Sequence, residues 1–400
     1  FSNMFKKKNK LILNERTTCR VCGGPIKFIA DFGSIHINDF PEDPEFTRGS
    51  APMILDQCEH CQLVQMRHTV NPDVLYGEHY WYESGLNKKL KDNLLEIAEY
   101  GNENTEPGDI VLDIGANDGT LLSGIKHDRY RIGCEPAPNL IRKLSKECDA
   151  VINDMWHYKL MDGRKAKFIT AIGMFYDLDD PNKFIYSVNQ SLSDDGIFIA
   201  QLMTLAPMLE MKDLGNVCHE HLEYYSYKSL VKLYEQNGLE IFKVKRNDIQ
   251  GGSYQIWGRK LNEGSIEFEE DIASLETFMY NIEANGKLLR TVLKDAKTQG
   301  KKAYVYGAST KGNTMLQLWN LEGLFEGAAE IHPDKIGRYT VGTKIPIISE
   351  EEAREKADIF FVPNFGFRDM FVEKEKEFLE KGGRMIFAMP EVRVVHGDNR

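Results

Sequence analysis

Val111-Leu112-Asp113-Ile114-Gly115-Ala116-Asn117-Asp118-Gly119 decides the fold of this chain. The apolar run Ile110–Ile114 predicts a buried strand, since a strand covered on both faces shows no polar alternation. Gly115 to Gly119 is a tight loop, and Thr120-Leu121-Leu122 opens a helix. Glycines let the backbone of such a loop pass close to a ligand. The G-x-G-x-x-G dinucleotide fingerprint is absent, because only one of its glycines is in place. The acidic strand-end residue Asp113 suits a cationic ligand better than a pyrophosphate. Further on, Glu135 closes a second strand, Arg131–Glu135, where a carboxylate can bind both hydroxyls of a ribose.

Working outward, Phe168–Ile172 and Gly196–Ala200 read as further strands of the same unit, and Leu90, Leu94, Leu95 and Ala98 give Leu86–Tyr100 a helical face. A helix is expected near Lys228–Asn237, then strands at Glu240–Val244 and Ser253–Gly258. The acidic stretch Glu263–Glu270 marks a boundary, and a long helix follows from Asp271 to about Thr298. Ala303–Gly307, Asp358–Val362 and Arg384–Ala388 predict a second αβ unit. Strands alternating with helices imply parallel sheets with crossover helices. The expected division is a tag scar and basic tail (1–16), a small module (17–85), a central αβ domain (86–262) and a C-terminal αβ domain (263–400). Phe1-Ser2-Asn3 before Met4 reads as the scar of a cleaved tag, and Lys6-Lys7-Lys8 as a solvated tail.

The 400 residues are 42% hydrophobic and 28% charged, a globular balance, and the net charge of −11 argues against a nucleic-acid partner. No apolar stretch reaches the roughly 18 residues of a membrane span. Seven cysteines, an odd number, without a secretion signal point to reduced thiols and a cytoplasmic protein. Four of them form two Cys-x-x-Cys pairs, Cys19/Cys22 and Cys58/Cys61. That spacing builds a tetrahedral zinc site with no open position, so the ion is structural. It staples a module with little apolar material of its own. His36, His60 and His68 are read as surface residues.

The D-x-G-x-N-x-G string with its distant Glu resembles the first two motifs of class I S-adenosylmethionine-dependent methyltransferases, whose fold is a doubly wound sheet. The resemblance implies that Asp113, Gly115, Asn117 and Gly119 lie around the methionine part of the cofactor, Glu135 at the ribose, and Asn153 and Asp154, after the strand-like Val151-Ile152, near the adenine. Cys218-His219-Glu220-His221-Leu222-Glu223-Tyr224 is dense in titratable groups. A histidine takes a proton near neutral pH, and a neighbouring carboxylate raises its basicity. Catalysis, a structural role and a metal site are the three readings of this string; it lacks the helical H-E-x-x-H pattern.

Zinc module, methyltransferase core, His-Glu-His-Leu string, Gly251-Gly252-Ser253 and a second αβ domain follow in that order. The whole resembles the C-methyltransferases that act on nucleotide-diphosphate-linked 4-keto-deoxysugars. The resemblance implies an enolate mechanism with His221 as base, Glu220 as its acidic neighbour and help from His219. It implies a nucleotide-diphosphate sugar as substrate, expected as the dTDP form with the base left open, and no obligatory protein partner. Two positions depart from the family: Cys218 stands where some members have Tyr, and Asp177 where they have His, with Tyr176 beside it. Asp177 and Tyr176 join the catalytic candidates; Tyr176 either donates to the enolate oxygen or packs under the sheet edge. Tyr80, Trp81, Tyr82 and Ser84 occupy the stretch that covers the family's cofactor pocket, with Tyr82 the candidate contact. Tyr224 is read as a substrate contact.

Gly307-Ala308-Ser309-Thr310-Lys311-Gly312-Asn313 resembles a P-loop, but Asn313 stands where its Lys belongs, which excludes an ATPase. A small-residue turn into a helix still offers N–H groups to an anion. Ser309, Lys311, Gly312 and Asn313, with Lys335 and Arg338 downstream, are the candidates for the substrate pyrophosphate. The competing readings are O-methylation of a nucleotide sugar, and a zinc-ribbon RNA-binding or RNA-modifying protein.

Overall fold

The computed structural model describes residues 10–76, 81–82 and 84–400. The expected tag scar, the Lys6–Lys8 run and Tyr80 lie outside the described residues. Short strands dominate the N-terminal part: β1 (Leu13–Glu15), β2 (Ile26–His36), β3 (Ser50–Cys58), β4 (Val64–Met66) and β5 (His68–Val70). β1 pairs with β5, so residues 13–15 belong to this layer and not to the expected tail. β2, β3 and β4 form an antiparallel sheet over the two cysteine pairs.

The central domain is built on β6 (Ile110–Ile114), β7 (Tyr130–Cys134), β8 (Ala150–Ile152), β9 (Ala166–Ile172) and β10 (Leu192–Met203). After them come β11 (Glu223–Tyr224), β12 (Leu239–Asn247) and β13 (Ser253–Lys260). The sheet runs β12-β13-β10-β9-β6-β7-β8, parallel from β10 to β8, with β13 antiparallel to both its neighbours. β6 lies inside it, and its residues alternate between two cores. Leu112 and Ile114 pack on one face and Val111 on the other, which is why the run is apolar except at Asp113. The helix Lys88–Glu103 covers the second face with Leu94, Ile97 and Ala98. Its Gly101 is a packing requirement: a Cβ there would lie 2.4 Å from the Phe168 ring. Gly101→Ala is expected to lower stability by about 1–3 kcal/mol, against a helix-propensity gain of about 1 kcal/mol. Thermal unfolding checks this.

The long helix Leu275–Thr298 leads into the C-terminal domain, with β14 (Ala303–Tyr306), β15 (Gly327–Glu330), β16 (Ile347–Ser349), β17 (Ile359–Phe361), β18 (Arg384–Phe387) and β19 (Arg393–Val395). The order is β16-β15-β14-β17-β18-β19, parallel except for β19. Both αβ domains are therefore doubly wound.

The layers are interlocked. β11 leaves the central domain and pairs with β4, completing the N-terminal sheet as β11-β4-β3-β2. One core joins Phe32, Met53 and Leu55 of that sheet to Leu214, Val217 and Leu222 and to Met315 and Leu316 of the C-terminal domain. Among the described residues no helix is long and apolar enough to cross a membrane.

Candidate active site

The C-terminal ends of β9 and β10 open into a cavity of about 210 Å³. Open αβ sheets bind ligands at this edge. All three layers contribute walls: Asn38 and Arg48, then Asn93, Tyr176 and Gln201, then Thr310 and Lys311. Gln201 sits in a net of amides, accepting from Asn247 and Gln255 at 3.0 Å and donating to Asn93 at 2.7 Å.

His221 forms part of the wall and is 1% exposed. Its Nδ1 lies 2.8 Å from the Asn216 carbonyl oxygen, which only accepts, so Nδ1 carries the hydrogen. Nε2 is then the bare lone pair, buried and without a hydrogen-bond partner. The ring lies between Tyr176 and Tyr224, both with centroids at 4.3 Å. Burial, with the Lys311 charge nearby, lowers its pKa to about 3, so the ring is neutral. The turn that supplies the Asn216 carbonyl is held in turn by Lys311, whose ammonium pairs with Asp213 at 2.6 Å.

The other members of the string part company. His219 is buried with Nε2 2.9 Å from the Ala51 carbonyl of β3; it ties the loop to the N-terminal sheet and does not line the cavity. Tyr224 is fully buried beneath His221 and is packing rather than a substrate contact. Glu220 and Cys218 do line the cavity, as do Tyr176 and Asp177 from the turn after β9. Burial and the neighbouring Glu220 push the Asp177 carboxyl well above the usual range. Burial and the same carboxylates also raise the Cys218 thiol, which keeps it un-ionised.

The glycine loop lies beside the cavity. Gly115 has φ +71° and a Cβ there would meet Met174 at 2.8 Å; Gly119, φ +86°, begins the short helix Thr120–Ser123. Glu135 accepts from the Asn117 and Ala137 N–H groups at 2.9 and 2.8 Å. A carboxylate has about four acceptor positions, so capacity for two hydroxyls is left. Asp113 accepts from Thr170 at 2.7 Å, and burial raises its pKa to about 7. Asn153 bonds the Glu135 carbonyl at 2.9 Å, and the Asp154 carbonyl accepts from the Cys134 thiol. Tyr82 is 41% exposed; its carbonyl accepts from Asn117 and its hydroxyl from Gln250. The donor set of this loop suits a ligand with ribose hydroxyls and a positive centre.

The four thiols fit a zinc ion. Their sulfurs lie within 4.8 Å of one another, with Cys19–Cys61 at 3.5 Å and Cys22–Cys58 at 3.4 Å. Four thiolates at about 2.3 Å from a tetrahedral ion sit at similar mutual distances. Backbone N–H groups of Val21 and Cys22 point at the Cys19 sulfur, and those of His60 and Cys61 at Cys58. All four positions are protein ligands, so this site binds no substrate.

In the C-terminal domain the side chains of the expected anion loop already have protein partners. Ser309 caps its helix by accepting from the Gly312 N–H at 3.0 Å, and Asn313 donates to Asn38 at 2.7 Å. Lys335 donates to the Ala308 carbonyl at 2.8 Å with its ammonium 4.6 Å from the Phe40 ring. Arg338 stacks over Trp81 and bonds Glu42. Asn313, Lys335 and Arg338 fasten the N-terminal layer to the C-terminal one; of the set, only Lys311 reaches the cavity.

Residues 19–76 match a zinc-binding domain family, residues 82–244 a methyltransferase domain, and residues 248–390 the C-methyltransferase C-terminal domain. C-methyltransferase NovU of Streptomyces niveus is 26% identical over 95% of this chain and 97% of its own length. The chain is a three-part S-adenosylmethionine-dependent methyltransferase, similar over most of its length to a C-methyltransferase. S-adenosylmethionine is its methyl donor, and zinc closes its N-terminal module. Solved structures similar to it include an S-adenosylmethionine-dependent methyltransferase from Clostridium acetobutylicum, at 13% identity and TM-score 0.33, covering 44% of this chain and 93% of that one. The CcbJ methyltransferase from Streptomyces caelestis gives 14% identity and TM-score 0.34, covering 47% of this chain and 98% of CcbJ.

Sequence reasoning missed the Asn216 carbonyl, the Asp213–Lys311 pair, and Asn38 and Arg48 in the cavity wall of this methyltransferase. A backbone acceptor has no sequence signature, and the ion pair joins residues far apart in the chain.

Proposed function

We propose that this methyltransferase acts on a nucleotide-diphosphate sugar bearing a ketone, with dTDP the expected carrier, and methylates the carbon beside that ketone. The observation that carries the reading is the His221 Nε2 lone pair, bare and buried in the cavity wall. A ketone acidifies its neighbouring carbon, and a neutral histidine held in one tautomer can take that proton. S-adenosylmethionine supplies an electrophilic methyl group when bound. His221 removes the proton, Asn216 fixes its ring, and Tyr176 and Tyr224 pack against it. The amide net around Gln201 suits a polar, hydroxyl-bearing substrate. NovU, a C-methyltransferase, supports carbon rather than oxygen as the acceptor.

Asp113, Gly115, Asn117, Gly119 and Glu135 would hold the cofactor, Glu135 through its ribose hydroxyls, with Asn153 and Asp154 beyond it and Tyr82 over the loop. Glu135→Ala is expected to weaken S-adenosylhomocysteine binding about tenfold or more, since charge-assisted hydrogen bonds contribute about 1.5–3 kcal/mol. Calorimetric titration measures it. The substrate class is tested by mass spectrometry, incubating the protein with S-adenosylmethionine and a panel of keto-deoxysugar nucleotides. A gain of one methyl on a keto sugar supports the reading. No gain on any of them, with the cofactor bound, overturns it.

A further inference from the structure

Asp177 and Glu220 face the same cavity as the base, on segments joined by the Leu222 N–H bonded to the Tyr176 carbonyl at 3.0 Å. Among the described residues the Asp177 carboxyl has no hydrogen-bond or ion-pair partner, and Oε2 of Glu220 is buried without one. The titratable groups around Asp177 are Glu220, Cys218, Glu223 and Tyr224, with neutral His221 in the same wall. None is a cation. The two basic side chains of the cavity are occupied: Lys311 pairs with Asp213, and Arg48 with Asp39 and the carbonyls of Asn38 and Val74. Nor do these groups converge as metal ligands; among the described residues only the four cysteines do.

Two carboxyl groups in one site without a cation cannot both ionise. Asp177 is the one whose proton burial and the Glu220 charge retain. A protonated carboxyl is a hydrogen-bond donor. An enolate would put a full negative charge beside Glu220, and burying it with no donor is prohibitive. We propose that Asp177 is the acid partner of His221, giving its carboxyl hydrogen to the ketone oxygen while His221 takes the proton from the adjacent carbon. This rests on the keto-sugar reading above.

The C–H pair becomes the carbon–carbon π bond, the carbonyl π pair moves to oxygen, and Asp177 delivers its proton there and becomes a carboxylate. When the carbon takes the methyl group, the methyl–sulfur pair stays on sulfur, the carbonyl re-forms, and the O–H proton returns to Asp177. The proton taken from carbon leaves His221 for solvent. Asp177 thus ends each turnover as it began.

The test uses the full chain with S-adenosylhomocysteine and a dTDP-4-keto-deoxysugar in D2O, following loss of the ring hydrogen by NMR without methyl transfer. Exchange by the wild-type protein should fall as pH rises and Asp177 loses its proton. Asp177→Leu should slow exchange about a hundredfold, the effect of removing one oxyanion donor. Asp177→Asn, which keeps a donor, should retain much more exchange and lose the alkaline fall. Glu220→Gln should move that fall to lower pH. Retained S-adenosylhomocysteine binding shows each variant folded. Wild-type exchange that survives Asp177→Leu overturns this inference alone, as does a loss confined to Tyr176→Phe. Equal loss in Asp177→Asn and Asp177→Leu, with a wild-type rate that rises with pH, would make the group a base and also overturn it. Absence of exchange in the wild-type protein overturns the keto-sugar reading and this inference with it.

Discussion

Stripping the zinc, or replacing one ligand by Cys58→Ser, should abolish methyl transfer while leaving S-adenosylhomocysteine bound. The first half follows from the four thiolates that the ion ties together beside β3 and β4: structural zinc contributes on the order of 10 kcal/mol or more in small domains. Without it the cysteine-bearing end of the N-terminal sheet loses its staple, while Phe32, Met53 and Leu55 stay in the shared core. The second half follows from where that sheet gets its fourth strand. β11 pairs with β4 directly after His221, the Met66 N–H bonds the Leu222 carbonyl at 2.8 Å, and His219 bonds Ala51. Loosening of β4, which starts three residues after Cys61, releases the loop carrying the base. The glycine loop and Glu135 are held by the ladder between β6 and β7 and by the bond from the Asn117 N–H to Glu135. Chelation followed by parallel assays of turnover and cofactor binding decides the matter. A metal-free protein that still turns over would sink the coupling.

His221→Ala should lower turnover about 10²- to 10⁴-fold, the range for losing a positioned general base. His221→Phe should be equally inactive while keeping a ring between Tyr176 and Tyr224, which separates lost chemistry from lost packing. Solvent exchange at the ring carbon should vanish in both, with cofactor affinity unchanged. The wild-type pH profile carries the complementary sign. A histidine with a pKa near 3 is already neutral at pH 5. Protonation of an ordinary histidine would cut the rate below about pH 6.5. Here no such acid limb is expected between about pH 5 and 7. An exposed imidazole at this position would produce one.

Much of the molecule was legible because its signals are local. The run Ile110–Ile114 became a strand over those same residues, and the paired cysteines came together within 4.8 Å. The strands at 168–172, 196–200 and 303–307 were located to within a few residues, since periodicity and glycine breaks mark them. The histidine string resisted because its backbone is neither helix nor strand. His221 turns back, its N–H bonded to the Cys218 carbonyl, so no period tells which histidine faces the cavity. A two-residue strand such as β11 has no pattern to detect. Charges misled for a related reason. Lys335 and Arg338 looked free to meet a phosphate, yet their partners are carbonyls, rings and a carboxylate from other parts of the chain. Such partners are known only once the layers are assembled.

That assembly has a consequence for how the protein is made. The ribosome delivers β4 roughly 160 residues before β11, which at ordinary elongation rates is about 8 to 30 s of synthesis. Throughout that interval the nascent chain presents Val64–Met66 as an open edge, a ready template for pairing with a neighbouring chain. Early metal capture cannot close it, because the missing strand is still untranslated. The crowded polysome, rather than the finished enzyme, is where this fold is most exposed to aggregation.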